Sequence, residues 1–564
     1  MAKPTALNQN SYSSLPKRQV VLTMAGVMLA LFLAALDQTI ISTALPRIIA
    51  DLGGFSQYTW VLTSYLVAMT VTVLIAGKLS DLYGRKWVLT SAIVVFIVGS
   101  ILCGLSATMN QLIIFRGLQG IGAGAIMGLV FTTIGDLFAP AERGKYIGFL
   151  SGVFGLSSVI GPTLGGFITD NFSWNWVFFI NVPLGILIIM LFVFFFPHIR
   201  PDYKKPVIDY AGITTLVLWV TPLMLALSLA GADYEWSSPI IIGMLALATV
   251  MLLAFLFFES RAKEPILPLW LFKNNIVSIS SIVVFMVGFG MFSAIVFVPL
   301  YFQGVLGTTA TASGTFLTPM MLGVVFGALI SGQSLSRAGG HYRLQGAAGI
   351  AILLVGIFLL SQMTTETSNA MALMNIIITG LGLGITLPLY LITIQNAVPH
   401  SVLGITTSTN TFFRTVGGAI GLAVSGSVMT NTFPAKFTEG LSPQLTSIIP
   451  PDQLSAMAEN PQVLVSPDAL TQLQGLFANF GEQGIMLLQS LVDTLRESLG
   501  LAIGQVFTVS FFILIAALVV SLFIKQIPLR TNHGVGDEPP SPPSNPAIGN
   551  HLTENYTQTL HKPG

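Results

Sequence analysis

Charge is scarce in this chain: Lys, Arg, Asp and Glu make up 8% of its 564 residues, about a third of their usual share in soluble domains. So few charges cannot cover a water-facing surface, and the chain needs lipid around it. The formal net charge of +1 offers no basic face to a nucleic acid. Cysteine is nearly absent as well. Cys103 stands alone, which excludes an intramolecular disulfide and a thiolate metal cluster; lying in an apolar run, it reads as packing. The six histidines, at positions 198, 341, 400, 533, 551 and 561, are scattered through loops and tail. Without a convergent set of nucleophile, acid or ligands, neither an enzyme nor a metal site is expected. No Gly-Lys-Ser/Thr phosphate loop is present and no cytoplasmic segment is long enough to fold alone, which argues against a nucleotide-driven pump. Nor is a cleavable export signal evident: Lys17 and Arg18 precede an apolar run from Val20 to Pro46 that is longer than a signal core.

What the chain does have is hydrophobic length, with 53% of residues apolar. Apolar windows of roughly 18 to 25 residues, enough to cross a hydrocarbon core of about 30 Å, number fourteen, from 20–46 to 500–525. They lack the alternation of barrel strands, so an all-α membrane protein is expected. Of the 24 basic residues, nineteen fall on the side of the amino terminus and only Arg47, Lys436 and Arg496 on the other, while Arg116 and Arg414 lie within spans. This bias puts both termini in the cytoplasm of a multi-pass protein of the plasma or inner membrane.

The spans group as six, two and six. The expected organisation is a cytoplasmic amino terminus over 1–19, a six-helix bundle over 20–196, a linker with two accessory helices over 197–276, and a second six-helix bundle over 277–525. A cytoplasmic tail over 526–564, rich in Pro, Ser, Asn and Gly, is expected to be disordered. Within the second bundle, 431–499 reads as a long extracytoplasmic loop, with Leu470, Leu473, Phe477 and Phe480 at the spacing of a short amphipathic helix. A poorly ordered insertion is the other reading, and the segment is a candidate surface for an extracytoplasmic partner.

A faint internal repeat accompanies this arithmetic. After the second span the chain reads Gly77-Lys78-Leu79-Ser80-Asp81-Leu82-Tyr83-Gly84-Arg85-Lys86, and after the tenth a weaker copy aligns Gly332 with Gly77 and Gly339 with Gly84, without the acid. The first copy resembles the signature loop of the major facilitator superfamily. Leu36-Asp37-Gln38-Thr39-Ile40 through Ala44-Leu45-Pro46, and Arg116-Gly117-Leu118-Gln119-Gly120, resemble the first- and fourth-helix motifs of drug:proton antiporters. Gly152, Gly155, Gly161-Pro162 and Gly165-Gly166 resemble their fifth-helix antiporter motif. With fourteen spans, the chain is similar to the fourteen-helix drug:proton antiporter family of the QacA and EmrB type. That resemblance implies the major facilitator fold, two six-helix bundles plus two accessory helices. It also implies proton-coupled export of lipophilic or amphiphilic small molecules by alternating access, with protons as coupling ion, no other cofactor and a monomer in the bilayer.

The residues carry their own physics. Asp37 is the one acid deep inside an expected span, where an ionised carboxylate is costly unless paired or wetted, and such acids mark ion or substrate paths. Arg116 lies at comparable depth and is its expected partner, either as a proton-coupling pair or as a permanent structural bridge. Asp81 and Arg85, with Gly77, Gly84 and Lys86, read as a conformational latch on the cytoplasmic face, and Asp136 as a second partner for Arg85. The glycines of the fifth span permit close helix approach, and Pro162 adds a bend. Gln38, Thr39, Asn181, Gln303, Asn375, Gln395 and Asn410 are polar side chains that would be costly facing lipid, and so are candidates to line a central cavity. Arg414 joins them, either touching substrate or gate, or snorkelling. Trp60, Tyr65, Phe292 and Met320 are candidates for an apolar wall, with helix packing as the alternative. Some members of the resembled family that export dications carry an acid in the tenth or thirteenth span, and this chain has none there. A dedicated exporter of one endogenous lipophile, such as a lipid or siderophore, is the competing function, and a non-transporting receptor or scaffold a remote one.

Overall fold

A computed structural model describes residues 16–52, 57–197, 207–231, 234–308, 310–337, 341–459, 475, 477 and 481–529. The expected tail from 530 onward, the basic linker around Lys204 and Lys205, and Gly339, Leu470, Leu473 and Phe480 lie outside the described residues. The described residues are almost wholly helical, and 14 helical segments are long and apolar enough to cross a membrane.

The first half comprises α1 (Lys17–Leu52), α2 (Tyr58–Tyr83), α3 (Arg85–Gly104), α4 (Met109–Leu137), α5 (Pro140–Asn171) and a sixth span made of α6 (Trp176–Phe179) and α7 (Asn181–Phe195). Two further spans follow, α8 (Tyr210–Leu229) and α9 (Pro239–Glu259). The second half comprises α10 (Asn275–Leu300), α11 (Ala310–Arg337), α12 (Tyr342–Ser361), α13 (Asn369–Asn396), α14 (Leu403–Gly440) and, after the short α15 (Pro443–Ile448) and α16 (Pro451–Glu459), α17 (Gly481–Ser521). The helices start where polar side chains satisfy otherwise unpaired amides: Thr108, Asp209, Ser238, Asn274 and Ser368 accept from backbone N–H groups in the first turns of α4, α8, α9, α10 and α13.

Packing follows the halves. In the first, α2 and α3 pack on α4, and α1 on α5; in the second, α10 packs on α14, α11 and α12 on α13, and α17 on α10, α12 and α14. The pair α8 and α9 forms a hairpin of which α8 docks on α2 and α14. The halves meet through α2 with α14 and α5 with α11, supported by α4 with α14 and α5 with α13. The two glycines aligned by the sequence repeat mark these two crossings. A Cβ on Gly77 of α2 would meet the Ser408 side chain of α14, and a Cβ on Gly332 of α11 would meet the Gly144 backbone of α5. Small residues at both points let the backbones touch.

The segment expected as a long loop is different from that reading. α14 runs on to Gly440 over 38 residues, and α17 begins at Gly481 and spans 41, each longer than the about 20 residues a bilayer requires. Residues 431–440 and 481–499 therefore continue the spanning helices. Hydropathy falls there, which ended the expected spans, but one face stays apolar: Phe433, Phe437, Leu491, Leu495 and Leu499 are buried at four-residue spacing, and the rings of Phe433 and Phe437 stack with centroids 6.1 Å apart. Two short helices, α15 and α16, lie between α14 and α17; of the residues expected to form a short amphipathic helix only Phe477 is described, and it is buried.

Candidate functional site

Asp37 and Arg116 meet. Both are buried, at 1% and 0% exposure, and Arg116 Nη1 donates to Asp37 Oδ2 at 2.7 Å. The other carboxylate oxygen accepts from Gln119 Nε2 at 2.8 Å and from Asn181 Nδ2 at 3.0 Å. Arg116 also donates to Gln119 Oε1 at 2.8 Å, and its guanidinium lies 4.1 Å from the Tyr65 ring centroid. Asn181 donates onward to Ser100 Oγ at 3.0 Å, which itself donates to Phe178 O. Side chains from α4 and the sixth span thus converge on the carboxylate of α1, with Tyr65 of α2 and Ser100 of α3 backing them. A charge removed from water survives only when paired and hydrogen-bonded, and Asp37 is both. Gln119 and Ser100 were not assigned roles from sequence. Gln119 sits three residues after Arg116, on the same helix face, the one signal that singles it out.

A second charge cluster closes the seam on the side of the α2–α3 loop. Gly84, with φ of 89°, turns the chain between α2 and α3 in a conformation that favours glycine. Arg85 Nη1 lies 2.5 Å from Asp81 Oδ1, and Arg85 Nε donates to Asp136 Oδ2 at 2.9 Å. Asp81 in turn reaches the other half, accepting from Gly404 N at 3.0 Å and Ile405 N at 2.9 Å. These are amides of the first turn of α14, where the helix dipole favours an anion. His400 Nε2 approaches Asp136 Oδ1 at 3.1 Å from the second half. Arg143 donates to Gly135 O at 2.6 Å within its own half and to Gln395 Oε1 at 3.1 Å across the seam.

Lys86 does not take part in this latch. Its Nζ donates to Val193 O at 2.8 Å, joining α3 to α7 within one half, because it starts α3 on the face opposite the seam. The fifth-helix motif divides between two partners: Gly152 and Gly155 face Val325 and Met321 of α11, whereas Gly161 and Gly165 face Thr39, Ile40 and Thr43 of α1. Gly166 faces open space, and Pro162 lies inside α5.

The polar side chains expected to share one cavity occupy separate settings. Asn181 belongs to the Asp37 cluster. Gln395 belongs to the latch, donating to Phe131 O at 3.3 Å and Thr407 Oγ1 at 3.0 Å. Asn375 donates to Leu359 O between α13 and α12, and Thr39 to Ser157 O between α1 and α5. Gln38 donates to Met69 Sδ. Gln303 lies in a π-helical turn over Tyr301–Val305. Hydrogen-bond capacity alone does not distinguish a cavity wall from a helix contact, so each found the nearest acceptor. Asn410 and Arg414 remain on one face of α14. The aromatic and Met candidates scatter too: Tyr65 lies under Arg116, Met320 is buried against α13 beside Gly380, and Phe292 packs on Gly418. Trp60 lines an apolar lateral cavity of about 660 Å³, walled also by Val67, Val71, Ile121, Val217 and Leu225 of α2, α4 and α8.

Residues 27–422 match the family description "Major Facilitator Superfamily". The chain belongs to that superfamily. Members of this superfamily similar to it include the "Multidrug transporter protein MdtP" of Bacillus subtilis (strain 168), 39% identical over 525 residues covering 91% of this chain and 94% of that protein. "Multidrug resistance protein 3" of the same organism is 37% identical over 509 residues, 90% and 95% of the two chains. Among solved structures, the major facilitator proton:xylose symporter XylE shares the fold, with a TM-score of 0.53 and 13% identity over 91% of this chain and 97% of that one. This major facilitator chain is accordingly a membrane transporter.

Proposed function

We propose that the protein is an efflux antiporter that exports lipophilic or amphiphilic small molecules in exchange for protons, by alternating access across a plasma or inner membrane with both termini cytoplasmic. The observation that carries the reading is the Asp37 carboxylate, buried and held by Arg116, Gln119 and Asn181. Protonating it removes the counter-charge of Arg116 without removing the arginine, and the pair must then rearrange or separate. Such a change biases two arrangements of the halves, one of which has the α2–α3 side shut by Asp81, Arg85 and Asp136. On the positive-inside orientation that shut side is cytoplasmic. Protons are the coupling ion, the bilayer is the partner, and the protein works as a monomer. The multidrug names of relatives at 37–39% identity support export of several unrelated compounds.

The test is transport in proteoliposomes under an imposed proton gradient with a panel of lipophilic cations, neutral drugs and lipids. Gradient-dependent movement of several unrelated members is expected. Movement of a single lipid would instead assign the protein as a dedicated exporter, and movement of none by folded protein would refute the antiporter reading.

A further inference from the structure

Arg414 is the intramembrane charge that the proton-coupling pair and the latch leave unexplained. It stands eleven residues into α14, about 16 Å along the axis at 1.5 Å per residue. No Asp or Glu occurs in α10, α11, α12 or α13, nor in α14 before Glu439. Among the described residues Arg414 carries no hydrogen bond or ion pair, in contrast to Arg116, which is neutralised by Asp37.

Arg414 shares a helix face with polar neighbours. Thr407, Asn410, Thr411 and Arg414 recur at the spacing of one helical face. Thr407 Oγ1 accepts from Gln395 Nε2 of α13, and the same amide donates to Phe131 O of α4, so the start of this face looks into the seam between the halves, while further along Gly417, Gly418 and Gly421 pack on α10. One turn below Arg414, Asn410 is 3% exposed and its Nδ2 has no partner. Arg414 itself is half-buried, and its backbone is held by the close approach of Gly288 of α10. The face therefore presents a guanidinium and an unused amide donor, both without an acceptor among the described residues.

We propose that Arg414 and Asn410 dock an acidic headgroup, so that the transported class is amphiphiles bearing a carboxylate or a comparable anionic group. The assignment rests on the transport reading above and names its substrate class. The substrate supplies the counter-charge that the chain omits, and a cation within a membrane span that lacks one is costly; a planar guanidinium is suited to a carboxylate.

The experiment is equilibrium binding to the full chain in nanodiscs, at mildly alkaline pH, of a dansyl-labelled alkyl carboxylic acid, its methyl ester and tetraphenylphosphonium. The acid is expected to bind at least about tenfold tighter than the ester, as a charge-assisted hydrogen bond implies. Arg414→Gln should abolish that preference while leaving the ester and the phosphonium no weaker, and Arg414→Lys should retain part of it. Equal binding of acid and ester to the intact protein, or a preference that survives Arg414→Gln, overturns the proposal. Should Arg414→Gln not fold, Arg414→Lys and Asn410→Ala replace it; each is expected to reduce the preference several-fold, and an undiminished preference in both overturns the proposal. An acid preference with no gradient-driven transport of any compound would refute the transport reading alone. Gradient-driven export of tetraphenylphosphonium with no acid preference would refute the headgroup assignment alone.

Discussion

Replacing Asp81 by Ala should open the seam that this residue holds shut. The carboxylate accepts two backbone N–H bonds from α14, at 3.0 and 2.9 Å. Hydrogen bonds to a charged group contribute about 1.5–3 kcal/mol each, and an anion at a helix N-terminus roughly 0.3–1 kcal/mol more. In the opened state water solvates the freed amides, which offsets part of the sum and leaves about 2–4 kcal/mol of preference for closure. At 1.4 kcal/mol per factor of ten, the ratio of closed to open falls by about 30- to 700-fold. Spin labels at Tyr83→Cys and Leu344→Cys report the separation, since both positions are exposed, at 44% and 73%, and lie on the latch side in different halves. Cys103 is buried and is replaced by Ser to give a single-pair background. Electron–electron resonance should show the distance distribution moving to longer values in Asp81→Ala. A folded variant with an unchanged distribution would refute the latch.

Other expectations follow from the packing. Gly332→Leu puts a side chain against the Gly144 backbone at the α5–α11 crossing, so it should lengthen the same spin-label distance without altering any charge; overpacking of this kind costs about 1–3 kcal/mol. Phe433→Ala, at a 1% exposed position in the extension of α14, should lose about 3–5 kcal/mol of local packing, seen as a lower thermal midpoint with transport retained. Arg116→Leu should destabilise by about 3–5 kcal/mol because it strands the Asp37 charge, and adding Asp37→Asn should restore part of the thermal midpoint, the reverse of two additive losses.

The span count and the charged centres were legible because lipid punishes exceptions. A carboxylate or guanidinium inside an apolar run has few physical excuses, so Asp37, Arg116 and Arg414 stood out, and the pairing of Arg85 with Asp81 and Asp136 followed from their crowding at helix ends. Neutral amides carried no such signal. Asn181, Gln395 and Asn375 look alike in sequence, yet one completes the Asp37 cluster, one bridges the latch and one joins two helices. Lys86 adjoins Arg85 but leaves on another helix face, a difference of about 100° that adjacency conceals. The outer parts of α14 and α17 were missed for a further reason: outside the lipid a helix needs only one apolar face, so mean hydropathy falls while the helix continues. The repeat, faint as it is, had physical content, since Gly77 and Gly332 occupy the two crossings where the halves touch.

Proton release on substrate binding tests most directly whether Asp37 carries the coupling proton. Purified protein in weakly buffered detergent, with a pH indicator, is mixed with a compound shown to be transported, and Asp37→Asn is treated identically. The account predicts that the intact protein releases protons on binding, whereas folded Asp37→Asn binds the same compound and releases none. Equal release from the two proteins would contradict it.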